Sequence, residues 1–372
     1  MTKQFKNIFR QIHLWLGLVT GLIVFVISIT GCIYVFEEEI REATQSEQLY
    51  VSPEKKPFIG LDKIISNFQL VAPGEKITVI RITEERPNAT VEINTKNKVF
   101  YFNPYDGSIV TQGSYDWLHT VQEIHISLLM GETGKFIQRW AVVIFVLMLL
   151  TGLVLWFPNQ MRLLKQSLNI KWKASFKRVN YDLHNVLGFY ASGILLIISL
   201  SGLYFAFKEV KTMASFFTGS QLTNGREMKS DKTPVIISLP ERYDYIYKTA
   251  LDKYQKPSST SISIRKNGEF RLRMIYPYRW ARKQNTFYFE EANGTLLRAK
   301  LYKDFNAADF VEATNYDLHT GKLFGWFSKI VACLVSLIAA SLPVTGFIIW
   351  WKKKRQPSFI KRKVKYAASK AF

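Results

Sequence analysis

Five histidines are the residues whose types and spacing point to chemistry: His13, His119, His125, His184 and His319. A neutral imidazole is the commonest side-chain ligand for transition metals, and haem iron is commonly held by axial histidine. Four of the five are related by internal repetition. His13, Gly17, Thr30 and Gly31 align with His184, Gly188, Ser201 and Gly202 at an offset of 171. His125, Gly131, Lys135, Thr151, Gly152 and Trp156 align with His319, Gly325, Lys329, Thr345, Gly346 and Trp350 at an offset of 194. His119 has no counterpart, because the second offset falls on Ala313; its closeness to His125 leaves it as an alternative ligand. The chain contains no phosphate loop, Gly-rich dinucleotide fingerprint, HExxH or nucleophile elbow. Cys32 and Cys333 fall in separate apolar runs, a pattern that makes neither a disulfide framework nor a thiolate metal site.

The elements that must position these histidines are long and apolar. Four runs reach the roughly 20 residues that a bilayer core requires: Leu14 to Phe36, about Phe136 to Phe157, about Val186 to Phe207 and about Leu323 to Trp351. None holds an acidic residue, and Arg139 and Lys329 stand near the starts of the second and fourth. The first run is long and lacks a small-residue cleavage site, so it reads as a retained helix rather than a signal peptide. The net charge of +21 is concentrated in three acid-free segments. Lys3, Lys6 and Arg10 precede the first run; the 158–181 connection carries Arg162, Lys165, Lys171, Lys173, Lys177 and Arg178; the tail after Trp351 runs from Lys352 to Lys370. By the positive-inside rule these three segments are cytoplasmic, and both termini with them. Trp15, Trp140, Trp156, Trp350 and Trp351 fit an interfacial belt. The basic charge is therefore a topology signal and calls for no nucleic-acid partner.

Depth then sorts the histidines. His13 and His184 sit at the cytoplasmic ends of outward-running helices. His125 and His319 precede Thr151 and Thr345 by 26 residues. That is about 39 Å if wholly helical, which puts them at or just beyond the outer interface. One pair near each face, His13 with His184 and His125 with His319, is an arrangement that can sandwich two haem b groups and let an electron cross the membrane. Lys135, Lys329 and Arg139 are candidates for neutralising haem propionates. The plainer reading makes each histidine an amphipathic interfacial residue and each repeated glycine a packing device.

The two acid-containing segments lie between the helices. Their strand-like stretches, KITVIRIT and ATVEINTKNKVFYF in the first, SISIRKNGEFRLRMIYPY and TFYFEEANGTLLRAKLY in the second, surround turns at Asn103–Gly107, Lys266-Asn267-Gly268 and Asn293-Gly294. Leu61–Leu70 and Arg242–Tyr254 read as helices. The fold class is a mainly α membrane protein with four transmembrane helices in two parallel repeats, each repeat with an α+β outer domain. The expected division is 1–36, tail and first helix; 37–114, outer domain 1; 115–157, interfacial helix and second helix; 158–181, basic loop; 182–207, third helix; 208–315, outer domain 2; 316–351, fourth helix; and 352–372, basic tail. In the second outer domain, Arg271, Arg273, Tyr276, Tyr278, Arg279 and Trp280 form a basic, aromatic stretch able to contact an anionic, aromatic ligand, or simply a half-buried strand with a solvated face.

Several stretches carry a resemblance. IHLWLGLVTGLIVFVISITG, EIHISLLMGETGKF, YDLHNVLGFY, DLHTGKLFG and the WWKKK ending resemble the PepSY-associated transmembrane proteins, and YFNPYDGSIV looks like the strand–turn–strand end of a PepSY domain. The family includes bacterial inner-membrane ferrisiderophore reductases that carry b-type haems between four helices. The resemblance implies PepSY-like periplasmic domains, two haem b at His13, His125, His184 and His319, and oxidoreductase activity on a ferric siderophore or other iron chelate. It also implies a separate cytoplasmic or quinol electron donor, since no flavin or nicotinamide site is present. The competing expectation is a membrane-anchored PepSY binding or regulatory protein without redox activity. A transporter is disfavoured, because no acidic residue lies within the apolar runs.

Overall fold

The computed structural model describes residues 3–228, 238–265 and 267–354. Lys266 of the expected 266–268 turn, and the basic tail from Arg355 on, lie outside the described residues. In chain order the elements are α1 (Lys3–Tyr34), α2 (Glu37–Leu49), α3 (Leu61–Val71), β1 (Val79–Ile82), β2 (Val91–Asn94), β3 (Lys98–Phe102), β4 (Ile109–Ser114), α4 (Trp117–Ser127), α5 (Gly131–Trp156), α6 (Leu164–Ser167), α7 (Phe176–Asp182) and α8 (Gly188–Ala206). There follow α9 (Lys208–Thr218), β5 (Arg226–Glu227), α10 (Leu239–Lys253), β6 (Ser259–Ile264), β7 (Glu269–Tyr276), β8 (Lys283–Glu290), β9 (Leu296–Lys300), α11 (Ala307–Thr320) and α12 (Trp326–Lys354). They form two compact units, one of residues up to Val35, Val121–Phe207 and from Leu318 on, the other of Phe36–Thr120 and Lys208–Asp317.

The first unit is a bundle. Gln4–Tyr34, Gly131–Trp156, Phe176–Ala206 and Trp326–Lys354 are each long and apolar enough to cross a bilayer, with mean hydropathies of 2.0 to 2.4. Helix α1 packs on α12 and α5, α8 on α5 and α12, which closes a four-membered ring. Val24, Phe145, Leu149, Ala191, Leu195, Val335 and Ala339 fill its middle. Helices α4 and α5 are not continuous. Leu128 and Leu129 take φ of 51° and 59°, and Gly131 takes 55°, so the chain turns back between them. Gly321 and Gly325, at 71° and 64°, break the chain between α11 and α12. The stretch from His125 to Thr151 is thus not wholly helical, so the roughly 39 Å of a single helix is not its length, and the break divides residues 115–157 into a short helix and a spanning one. The turn folds His125 back onto Thr30 and Gly31 of α1, short of the α1 end at Tyr34 rather than beyond it.

The second unit is an α+β layer. The expected 37–114 and 208–315 domains contribute to one sheet, in the order β4-β3-β2-β1-β6-β7-β8-β9-β5. Every pairing is antiparallel, and the seam is β1 on β6, with Ile80 opposite Ile262. Alternation along β1, β3 and β7 points Ile80, Phe100, Phe102, Phe270, Leu272 and Met274 to one face, where α3 and α10 cover them with Ile64, Ile65, Phe68, Tyr243 and Ile246. The physical reason for the fusion is exposure. Each half alone would leave an edge strand, β1 or β6, with unpaired backbone groups; pairing them removes both edges.

One half-buried acid sits beside this seam. Glu84 Oε2 is buried without a hydrogen-bond partner, while Oε1 accepts from Tyr247 Oη at 3.2 Å. Burial pushes the Glu84 carboxyl up to about 7. An acid whose folded pKa exceeds its unfolded value stabilises the fold below the unfolded value and loses that contribution as pH rises through 7. Unfolding of the full chain is therefore expected to occur at higher temperature at pH 5 than at pH 8, and Glu84→Gln is expected to flatten that difference. A calorimetric pH series reads both.

Candidate cofactor site: two facing histidine pairs

The bundle brings the four repeat-related histidines together in twos. The His13 and His184 rings face each other with centroids 6.3 Å apart at 85°. The His125 and His319 rings face each other at 6.1 Å and 60°. His119 stacks on Tyr115 at 4.1 Å, in the other unit.

Local structure holds each ring in the same manner. His13 Nδ1 lies 3.0 Å from Thr151 Oγ1 and His184 Nδ1 lies 2.9 Å from Thr345 Oγ1. His125 Nδ1 lies 3.2 Å from Thr30 Oγ1, and His319 Nδ1 lies 2.9 Å from Ser201 Oγ. Each hydroxyl spends its own proton on a carbonyl of its helix: Thr151 on Leu147, Thr345 on Ser341, Thr30 on Val26, Ser201 on Ile198. The hydroxyl oxygen must then accept, so the ring donates from Nδ1–H. His125 and His319 also donate to the carbonyls of Ile27 and Ile198, both at 3.0 Å. With the proton on Nδ1, the lone pair of all four rings is on Nε2, the tautomer that binds a metal.

The glycines beside these hydroxyls explain how close the rings approach. A Cβ on Gly152, Gly346, Gly31 or Gly202 would lie 3.3, 3.2, 3.0 or 3.1 Å from Cε1 of His13, His184, His125 or His319 respectively. The Thr-Gly or Ser-Gly dipeptide is thus one device used four times: the hydroxyl orients the ring and the missing side chain seats it. His184 is further set by a π-helical turn over Leu183–Leu187, the kind of local widening often found where a helix presents a functional side chain.

Two imidazoles at this separation fit one particular kind of metal. Two metal–imidazole bonds of about 2.0–2.1 Å plus two ring radii of roughly 1.1 Å bring ring centroids to roughly 6.2–6.4 Å apart. The observed 6.3 Å falls in this range and 6.1 Å just below it. No group of three or more metal-ligating side chains occurs among the described residues, so each pair could supply only two ligands. A porphyrin iron already holds four equatorial nitrogens and needs just those two. The histidine rings, their tautomer and their seats fit haem.

The other sequence-selected residues scatter. Lys135 Nζ pairs with Glu132 at 2.8 Å and is exposed. Arg139 donates to the Lys135 carbonyl and lies over the Phe207 ring. Lys329 is the buried one of the three, 6% exposed. In the sheet unit, Tyr278 Oη donates to Asp317 Oδ2 at 2.7 Å, Tyr276 Oη donates to the Tyr254 carbonyl, and Trp280 is exposed under Arg279.

Sequence reasoning missed one pairing outright. Cys32 follows Gly31 on α1, and its Sγ lies 2.8 Å from Cys333 Sγ on α12. Position within separate apolar runs hid this, because helix–helix register cannot be read from either run alone. A mild oxidant is expected to join the two thiols, seen as loss of two alkylatable cysteines per chain and a reducible cross-link between the α1 and α12 peptides; the Cys32→Ser variant would show neither.

Four helices long and apolar enough to span a bilayer, with two pairs of histidine rings between them, define a four-helix membrane protein. Residues 10–353 match the model of the family described as the PepSY-associated TM region, and the chain belongs to that family. No curated protein matches it.

Proposed function

We propose that this protein is a dihaem b reductase of the bacterial inner membrane. In this reading both termini are cytoplasmic, the sheet unit is periplasmic and contains the PepSY-like domains of two parallel repeats, and the substrate is a ferric siderophore or other ferric chelate. The observation that carries the reading is the twofold occurrence of facing imidazoles at ligation distance, each with Nδ1 engaged and Nε2 free.

Haem at each pair would supply a one-electron couple. The chain's own residues do the rest. The Thr and Ser hydroxyls hold the tautomer and ring plane. The apolar layer of Val24, Phe145, Leu149, Ala191, Leu195, Val335 and Ala339 separates the two pairs and keeps water out. Along α1 the step from His13 to Gly31, the seat of His125, is about 27 Å, which puts one pair toward each membrane face. Lys329 would supply positive charge for a propionate at the His125/His319 end, whereas Lys135 is held by Glu132 and Arg139 by the Lys135 carbonyl. One-electron reduction of the chelated iron weakens its hold, because hard oxygen donors favour Fe(III) over Fe(II). The electrons come from a separate cytoplasmic donor or a quinol.

A visible spectrum of the detergent-purified protein, oxidised and then dithionite-reduced, tests this. Sharp reduced α and β bands with about two haems per chain are the expected result. Absence of haem after expression with added haem would overturn the reading and favour a membrane-anchored PepSY binding protein.

A further inference from the structure

Strand β7 divides its side chains cleanly. Phe270, Leu272 and Met274 enter the core, and Glu269, Arg271 and Arg273 point to the opposite face of the sheet. On that face Arg271 stands opposite Ser263 and Tyr288, and Arg273 opposite Ser261 and Thr286.

Neighbouring cations on the same side of the unit have acids of their own. Arg298 forms a two-pronged pair with Glu269 at 2.8 and 2.7 Å. Lys300 holds Asp309 at 2.7 Å and Glu312 at 2.9 Å. Arg282 grips Asp317 at 2.6 and 3.0 Å. Arg271 and Arg273 differ. Among the described residues neither guanidinium makes a hydrogen bond or an ion pair, and Arg271 Nε is buried with no partner at all.

The surroundings make this costly. Burial holds the Arg273 guanidinium down to about 10, with Arg271 and then Arg282 adding repulsion. Burial lowers Arg271 as well, and repulsion from Arg265 lowers it further. The attracting acid, Glu312, is already bonded to Lys300. Two neighbouring half-buried cations without a counter-charge are destabilising, and such a pair points to a ligand that brings the missing anion.

We infer that Arg271 and Arg273 form the binding site for a small polycarboxylate, the iron-carrying ligand being a ferric polycarboxylate rather than a neutral chelate. Residues two apart on a strand are about 6.6 Å apart, so the two forks suit two carboxylates on one short carbon skeleton. Guanidinium is the cation that binds a carboxylate through two parallel hydrogen bonds. Ser261, Ser263, Thr286 and Tyr288, opposite on β6 and β8, are the hydroxyl-bearing neighbours of the two cations. The ferric part of this inference rests on the reductase reading above; the polycarboxylate site does not.

The test is isothermal titration of the full-length protein in detergent with citrate, ferric citrate, inorganic phosphate and a neutral ferric trihydroxamate. Citrate and ferric citrate are expected to bind, more weakly as salt is raised. Arg271→Gln and Arg273→Gln are each expected to weaken binding about ten- to a hundredfold, and Arg→Lys at either position to restore only part of it. Phosphate, with one compact oxyanion, is expected to bind at least about tenfold more weakly than citrate. Arg162→Gln, which removes an exposed cation of the bundle unit, controls for net charge. Without ligand, Arg273→Gln is expected to melt no lower than the parent, which a purely structural arginine would not allow.

Equal binding of the neutral chelate, or citrate affinity unchanged in the Arg271→Gln/Arg273→Gln variant, would overturn the site. Citrate binding in a protein that carries no haem would keep the site and remove only the ferric assignment.

Discussion

Replacing His184 with alanine is expected to cut haem content from about two to about one per chain, and His13→Ala to do the same. Each pair needs both of its imidazoles, so either substitution should empty that site. His125→Ala and His319→Ala should empty the other, and His13→Ala/His125→Ala should leave none. The pyridine haemochrome count reads each result directly. Substitutions one step further out should act more mildly. Thr345→Val removes the acceptor for His184 Nδ1–H at 2.9 Å, and loss of such an orienting partner typically costs about ten- to a hundredfold in metal affinity. Gly346→Val should be harsher than Thr345→Val, because a Cβ there already comes 3.2 Å from the His184 ring. His119→Ala is expected to leave the count unchanged, since that ring stacks on Tyr115. Retention of about two haems in His184→Ala would refute the paired-ligand reading.

The second large effect lies in the sheet unit. Asp317→Ala is expected to destabilise the protein by about 3–5 kcal/mol. Asp317 is fully buried and holds Arg282 through both oxygens while accepting from Tyr278 Oη. Removing it strands the Arg282 guanidinium, which is only 15% exposed in its side chain. The carboxylate also helps hold the Tyr278 hydroxyl up to about 12, after burial. The triple change Tyr278→Phe/Arg282→Met/Asp317→Leu should cost far less than Asp317→Ala, because replacing a whole buried charge network with apolar groups is often nearly neutral. Denaturant unfolding of the full chain distinguishes the two. A loss of under about 1 kcal/mol for Asp317→Ala would place the network among weak, solvent-screened pairs.

Local pattern carried much of the architecture. Apolar runs of bilayer length reappear as α1, α5, the α7–α8 span and α12. Alternation in KVFYF, SISI and EFRLRMIY reappears as β3, β6 and β7, and the Asn293-Gly294 turn joins β8 to β9 with Gly294 at φ 72°. The repeat offsets pick out Thr151-Gly152 and Thr345-Gly346, but not the histidines that these dipeptides seat. Other features were not legible. Acid-rich α2 has little apolar signal, and the broken entry to α5 depends on positive φ at two leucines, residues that rarely adopt it.

What the sequence determined by itself was composition along the chain: where apolar stretches are long enough to span, where charge collects, and which residue types recur at fixed offsets. These are local quantities, set by propensity and periodicity. The tertiary structure alone decided which residues meet. It set His13 against His184 and His125 against His319, joined the strands of two segments through β1 and β6, brought Cys32 to Cys333, and left Arg271 and Arg273 without acids of their own. Those outcomes depend on the register between elements distant in the chain, and register is fixed by packing and backbone pairing across the fold, which no single segment contains.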